Sequence, residues 1–205
     1  MAIRVPGGLY STKDAQIVMF GISFFLVFSA IYLAGSGVRT QSSFQMVKGL
    51  HGSTYFTLSL PVSRFHLLAM RAGLGLLEMA GINAIVIATA WISFPLVRAG
   101  STPSELLQTI IGATICTASF HFLSVFSATF LGEVWQVWGS LRGIGCLWWI
   151  LARLHVPASM NVFGFLGSAS PLITHRLPWP AMGISLLASA ILFFAALRIV
   201  ETREY

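Results

Sequence analysis

The stretch from Leu50 to Glu78 reads LHGSTYFTLSLPVSRFHLLAMRAGLGLLE, and it is the longest polar interruption in a chain otherwise made of apolar runs. Pro61 divides the stretch. Proline lacks a backbone N–H and disfavours helical geometry in the residue before it, so a helix over the preceding residues should end at Leu60. A second helix is able to begin at Val62. The stretch therefore predicts a short amphipathic element, a corner and then a long helix.

The composition is that of an integral membrane protein. The 205 residues are 56% hydrophobic and 9% charged, whereas soluble domains have about 25% charged residues, and the mean hydropathy is +0.83. The net charge of +6 comes from 12 basic and 6 acidic residues. In a membrane protein, a basic excess usually reflects Lys and Arg residues in the cytoplasmic loops and their contact with anionic lipid. We therefore expect no nucleic acid partner.

Apolar runs of membrane-spanning length recur along the chain and predict the fold class, an all-α integral membrane protein with about five transmembrane helices in a single domain. The predicted elements are an N-terminal arm at 1–16, spans at 17–37, 73–96, 105–131, 134–154 and 181–200, and a tail at 201–205. A polar loop at 38–72 follows the first span. A segment at 155–180, broken by prolines and glycines, precedes the last span.

The helical pattern that begins at Val62 continues to about Leu96, which is roughly 35 residues or about 52 Å at 1.5 Å per residue. A hydrocarbon core is about 30 Å thick, so part of this helix must lie outside it. Trp91 and Phe94 are predicted to mark the far interface, where aromatic side chains are enriched.

The orientation follows from the positive charges of the short loops, which are enriched on the cytoplasmic side. No acidic residue lies between Asp14 and Glu78, and the 38–72 loop holds four basic residues, namely Arg39, Lys48, Arg64 and Arg71. We therefore expect this loop and the C-terminus inside and the N-terminus outside, in a multi-pass protein of the inner or plasma membrane.

Arg142 would lie well inside the fourth predicted span. One interpretation is that its side chain snorkels to the interface, which we favour. The other is a true intramembrane charge that faces protein.

The run from Thr57 to Arg64, TLSLPVSR, followed by Arg71 and by GLGLLE at 73–78, resembles the cytoplasmic loop of type 2 ATP-binding-cassette (ABC) exporter permeases. The ending ALRIVETREY at 196–205 looks like the last membrane helix of that family leaving into a charged cytoplasmic tail. The resemblance implies a transport subunit whose loop forms a coupling helix that docks on an ATPase. The residues to which it assigns this contact are Phe56, Thr57, Leu58, Leu60, Pro61 and Arg64.

The same resemblance implies the partners, which are ABC ATPase subunits, a second permease half and the lipid membrane. ATP and magnesium would bind to the partner ATPase, and we expect no cofactor, metal or catalytic site on this chain. The sequence contains no Gly-x-x-x-x-Gly-Lys loop, no CxxC, no HExxH and no paired carboxylates, so we predict that it is not itself an enzyme.

The sequence departs from the family pattern in two ways. Family halves usually have six spans with both ends cytoplasmic, whereas we predict five here. We therefore expect either a separately encoded first span or a longer natural chain of which this is the C-terminal part. The family loop also often has an acidic residue before its Gly-Thr-like position, and in that region this chain has Lys48, Gly49, His51, Gly52 and Ser53.

Polar residues inside the predicted spans are candidates for the transport pathway. Thr114, Thr117, His121 and Ser124 follow spacings of 3, 4 and 3 and so lie on one helical face. This face either lines a pathway or packs helices together through hydrogen bonds, and we favour packing. Glu78 either contacts a partner half or gates the pathway, or it is a carboxylate near the cytoplasmic interface, which we favour.

Two other classes of protein stay open. One is a membrane-embedded redox or lipid-modifying enzyme that uses the histidines, and the other is a membrane scaffold without transport activity. Of the five histidines only His121 lies deep in a predicted span, and haem ligation by two axial histidines would need a partner at matching depth. An absorbance scan of the purified protein and a test for a co-purifying ATPase would distinguish these classes.

Overall fold

The structure of the chain is a computed structural model, which describes residues 2–5, 8–34, 63–94, 98, 101–129, 131, 133–166 and 170–202. Within these ranges the regular secondary structure is helical apart from one hairpin. Strand β1 (Ala2–Val5) pairs antiparallel with strand β2 (Gly8–Ser11), with Ala2 opposite Ser11. The hairpin and the first turn of the following helix occupy the region predicted to be a polar arm at 1–16.

Four long helices precede two short ones and a final long helix. Their bounds are α1 (Thr12–Leu33), α2 (Arg64–Ser93), α3 (Pro103–Ala128), α4 (Glu133–Arg153), α5 (Val162–Leu166), α6 (Pro171–Thr174) and α7 (Trp179–Thr202). The short helices α5 and α6 fall in the segment predicted to be broken, at 155–180.

The two ends of α2 coincide with local sequence signals, a serine before its first residue and a proline shortly after its last. Its N-cap is Ser63, whose hydroxyl oxygen accepts a hydrogen bond from the backbone N–H of His66 at 3.2 Å. A serine cap of this kind satisfies one of the free N–H groups of the first turn. The sequence predicted that this helix begins at Val62. In the structure it begins at Arg64 instead. It ends at Ser93, two positions before Pro95.

Three of the described helical segments are long and apolar enough to cross a membrane, and these are Leu68–Ser93, Pro103–Ala128 and Trp179–Thr202. The apolar part of α1, Ile17–Leu33, is shorter. Helix α4 is less apolar because it carries Arg142 near its centre and four tryptophans. Of the five predicted spans, α2, α3 and α7 thus meet this description by length and composition, and α1 and α4 do not.

Helix α3 is the centre of the bundle and contacts each of the other six described helices. Small residues on its surface let neighbours approach closely. At Gly112 an added Cβ would overlap the ring of Phe165 in α5, and that ring is almost fully buried. Because lipid tails are as apolar as leucine, close packing and hydrogen bonds are what hold membrane helices together.

The helices alternate in direction. One cluster joins the end of α1, the start of α2 and the ends of α3 and α7, through Ala34, Leu68, Val125, Ala196 and Leu197. We call this the loop end of the bundle. At the opposite end, the far end, the indole nitrogen of Trp91 donates to the Ser101 hydroxyl at 2.8 Å. Helices α1, α3 and α7 therefore run toward the loop end, and α2 runs away from it.

Helix α4 returns along α3 in the antiparallel direction. A Cβ added at Gly139 would lie 2.9 Å from the Leu131 side chain, and one added at Gly143 would lie 3.7 Å from that of Leu123. From Gly139 to Gly143 the contact moves from Leu131, just after α3, back to Leu123 within α3. Helix α4 therefore begins at the loop end.

At the far end, the carboxylate of Glu105 connects two segments of the chain. Glu105 accepts a hydrogen bond from the backbone N–H of Thr102 at 2.7 Å, and its own N–H donates to the Thr102 hydroxyl, which forms a capping box at the start of α3. The other carboxylate oxygen lies 2.7 Å from Nδ1 of His175. His175 follows α6 with a φ of 56°. The carboxylate therefore links the cap of α3 to the turn between α6 and α7.

Candidate functional site

Five polar side chains form a seam between α3 and the helices α1 and α2, and we call this set the polar seam. Its members are Asn83, Thr114, Thr117, His121 and Ser124. Four of them were predicted from spacing on one face of α3. Asn83 was missed, although an isolated amide in an apolar helix signals a buried hydrogen bond.

Asn83 joins α2 to α3. Its Nδ2 atom donates to the hydroxyl oxygen of Thr117 at 3.0 Å and to that of Thr114 at 3.4 Å. Each threonine hydroxyl in turn donates to a carbonyl one turn earlier in α3, those of Ala113 and Ile110 at 2.7 and 2.9 Å. The threonines are thus donors to their own helix and acceptors from the next one.

His121 and Ser124 join α3 to the last turn of α1. Nδ1 of His121 lies 3.3 Å from the carbonyl oxygen of Ala30, and the hydroxyl of Ser124 donates to that of Ile31 at 3.1 Å. The last four carbonyls of a helix have no partner within it. The two side chains thus form hydrogen bonds to carbonyls in the last turn of α1. Because a carbonyl only accepts, Nδ1 of His121 carries the proton of this bond.

The His121 ring also fits closely against α2. A Cβ added at Gly75 would lie 2.6 Å from Cε1 of His121 and 3.0 Å from its Nε2. Real Cβ atoms do not approach so closely, so this position in α2 requires glycine as long as the ring stays in place. His121 is 1% exposed. Among the described residues its Nε2 has no hydrogen-bond partner of good geometry, although the backbone of Ala72 in α2 also interacts with the ring.

Glu78 forms no hydrogen bond to the seam, but its carboxylate interacts electrostatically with His121. It lies in the first half of α2, and its side chain is exposed on the surface of the bundle. Within the described ranges no hydrogen bond or ion pair to its carboxylate is formed.

The predicted coupling residues Phe56, Thr57, Leu58, Leu60 and Pro61 lie outside the described residues. Arg64 is the first residue of α2, and only its place in the helix is described.

The hydrogen bonds of the seam favour a role in helix packing, because they are used between helices or within α3. The described residues contain no group of three His, Cys, Asp or Glu side chains that would hold a metal ion. Cys116 is buried and Cys146 is exposed, and both are free thiols.

Helix α4 presents a different kind of surface. Arg142 is exposed near its centre, and among the described residues its guanidinium makes no hydrogen bond or ion pair. Helical spacing places four other exposed residues on the same face, namely Trp135, Trp138, Cys146 and Trp149. The guanidinium of Arg153 lies over the Trp149 ring at 5.4 Å.

A comparison of the chain with protein-family models, with curated proteins and with solved structures finds no match in any of the three.

Proposed function

We propose that this chain is the membrane-spanning permease subunit of an ATP-driven ABC transporter and works as an exporter. In this proposal a separate subunit hydrolyses ATP, and the permease converts the resulting movement into substrate translocation. The TLSLPVSR sequence at 57–64 and the charged ending at 196–205 are the sequence features that support the family.

The observation that carries the proposal is the length and position of α2. The helix has 30 residues, or about 45 Å at 1.5 Å per residue, which exceeds a hydrocarbon core of about 30 Å. It begins at the loop end, directly after the sequence that resembles a coupling helix. A force on that sequence would therefore reach the membrane through one continuous helix.

The polar seam supplies a route for such a movement into the bundle. Asn83 fastens α2 to α3, and His121 is in contact with both α2 and α1. A tilt of α2 would then carry α1 and α3 with it as one body. The seam thus serves transport in this proposal by keeping the half rigid, and the substrate pathway lies between two halves.

The proposal includes two spans that the length criterion leaves out. We infer that α1 and α4 also cross the membrane, because α1 packs against α2 and α3 and α4 runs antiparallel along α3. The sequence has no nucleotide-binding loop, so ATP hydrolysis needs a separate subunit. From the resemblance to the family, we propose a dimer of permease halves bound to two ATPase subunits.

The mass of the complex tests this proposal. The chain is co-expressed with its genomic neighbours and purified in mild detergent or nanodiscs, and its mass is measured. The expected result is two copies of this chain with two ATPase subunits. A monomer that transports substrate without an ATPase would contradict the proposal.

A further inference from the structure

A small cavity lies inside the bundle, where α1, α2, α3 and α5 meet the start of α6. Its volume is about 10 Å³. Seven of the described residues that line it are apolar, and the other two are Thr109 in α3 and Ser170, the N-cap of α6. A cavity needs about 10–15 Å³ on this measure to hold one water molecule. The space therefore fits a single water and nothing larger.

The walls close this cavity off from the surroundings of the bundle. Ser170 is 0% exposed and Thr109 is 2% exposed. The apolar wall residues are buried too, except for the half-buried Ile22. A polar group that faces the cavity thus has no access to bulk water, and its hydrogen-bond partner must lie inside.

The side chain of Ser170 has such an unused group. The backbone carbonyl of Ser170 accepts hydrogen bonds from the N–H groups of Ile173 and Thr174, both at 2.9 Å. Its hydroxyl forms no cap bond to α6 and has no hydrogen-bond partner within the described part of the chain. Buried hydroxyls are nearly always bonded to protein or to ordered water, because burial of an unbonded polar group is costly. This hydroxyl therefore indicates a ligand that accepts its proton.

Thr109 supplies the complementary group. Its hydroxyl donates to the backbone carbonyl of Glu105 at 2.8 Å, so toward the cavity its oxygen is only an acceptor. Ser170 has a proton to donate, yet no direct bond between the two hydroxyls is formed. A water molecule matches both, because its oxygen accepts from Ser170 and one of its O–H groups donates to Thr109. These two bonds meet the minimum of polar partners that a buried water needs.

We propose that the cavity holds one ordered water molecule, which bridges the hydroxyl of Ser170 to that of Thr109. The bridge joins the start of α6 to α3. A second link joins the neighbouring helix α5 to α1, because the hydroxyl of Ser23 is directed to the carbonyl of Leu166. The water is thus one of the bonds that hold the broken segment at 155–180 against the bundle. This inference does not depend on transport or on the ATPase.

A structure of the protein in lipid, at a resolution that shows ordered water, is the test. We expect water density within hydrogen-bond distance of both hydroxyl oxygens. Ser170→Ala and Thr109→Val should each lose it, since each leaves the water one polar partner and apolar cavities stay dry. Ser140→Ala is the matched control and should keep it. The buried hydroxyl of Ser140 in α4 also has no partner among the described residues, but Ser140 does not line the cavity.

An empty cavity in wild type, with ordered water visible elsewhere in the map, would overturn the proposal. Density that persists in Ser170→Ala or in Thr109→Val would overturn it as well, because the water would then not depend on the bridge.

Thermal unfolding in detergent is an independent check. If one water serves both hydroxyls, removal of either one releases it. The double variant Ser170→Ala/Thr109→Val should then unfold at about the same temperature as the less stable of the two single variants. Ser140→Ala combined with Thr109→Val should instead show the sum of two separate losses, as independent sites do. Losses for Ser170→Ala and Thr109→Val that add in full would contradict the bridge, because each hydroxyl would then act alone.

Discussion

His121 in α3 donates a hydrogen bond from Nδ1 to the carbonyl oxygen of Ala30 in α1, across 3.3 Å. The opposite edge of the same ring rests on the backbone of α2, in the space that a larger residue at Gly75 would occupy. One side chain thus fixes the distances among three helices. Because both sides of the ring are held, it has little freedom to move away from a new neighbour.

We predict that Gly75→Ala destabilises the protein. The new Cβ would lie 2.6 Å from Cε1 of His121, and overpacking of this kind costs about 1–3 kcal/mol. Gly73 and Gly81 in the same helix are the controls, because a Cβ at either meets nothing within 4 Å. Gly73→Ala and Gly81→Ala should leave the melting temperature in detergent unchanged or raise it, since alanine favours a helix by up to about 1 kcal/mol over glycine. Equal melting temperatures for all three variants would show that the ring is not held in place.

The hydrogen bond from Asn83 to Thr117 should have a measurable coupling energy. In a double-mutant cycle of Asn83→Ala and Thr117→Val, we expect a coupling of about 0.6 kcal/mol and at most about 1.7 kcal/mol, the range found for bonds between membrane helices. Thr89, an exposed residue of α2, supplies the control. Thr89→Val combined with Asn83→Ala should show no coupling, and a coupling as large as that of Thr117 would argue against a direct contact.

At the far end, Glu105→Ala should cost more stability than His175→Ala. The carboxylate holds the N-terminal cap of α3 as well as His175, and loss of a cap costs about 0.5–2 kcal/mol. The side chain of His175 is 55% exposed, and an exposed ion pair contributes only about 0–1 kcal/mol. Thermal unfolding of both variants measures the difference. An equal loss in both would mean that the pair, and not the cap, provides the stability.

Topology is testable with single cysteines in a cysteine-free background. We expect Ser53→Cys, which lies outside the described residues, and Thr202→Cys to react only with reagent added on the cytoplasmic side. Ser159→Cys, between α4 and α5, should react only from the outside, because this exposed residue lies near the end of α4 that is away from the loop end. Reaction of the first two from outside intact cells would reverse the predicted orientation.

The sequence predicted helix positions well where an apolar run is bounded by proline, polar or charged residues. The third span, predicted at 105–131, is α3 at Pro103–Ala128, and the last, predicted at 181–200, is α7 at Trp179–Thr202. The hairpin at the N-terminus was not predicted, because its strands have only four residues each and too little length for a pattern to show. The Pro6-Gly7 dipeptide between them is a recognised turn signal.

The polar face of α3 was also readable, since Thr114, Thr117, His121 and Ser124 recur at helical spacing. What that face contacts was not readable. The contact of His121 with Gly75 and the bond of Asn83 to Thr117 depend on how far α2 is shifted along α3, and no local pattern encodes such a shift between helices. A glycine that must stay small looks the same in the sequence as Gly73 or Gly81, which face open space.

The central claim is that residues 53–60 dock on an ATPase, and one pair of variants tests it directly. Leu58→Asp would place a charge in an apolar docking groove, where it costs several kcal/mol if it stays ionised and unpaired. Met160→Asp places the same charge on an exposed apolar residue beyond α4, near the far end of the bundle. In pull-downs of the co-expressed ATPase, with the ATP hydrolysis rate of the recovered complex as second readout, we predict that Leu58→Asp loses most of the ATPase and Met160→Asp retains it. Equal recovery and equal hydrolysis in wild type and Leu58→Asp would contradict the claim.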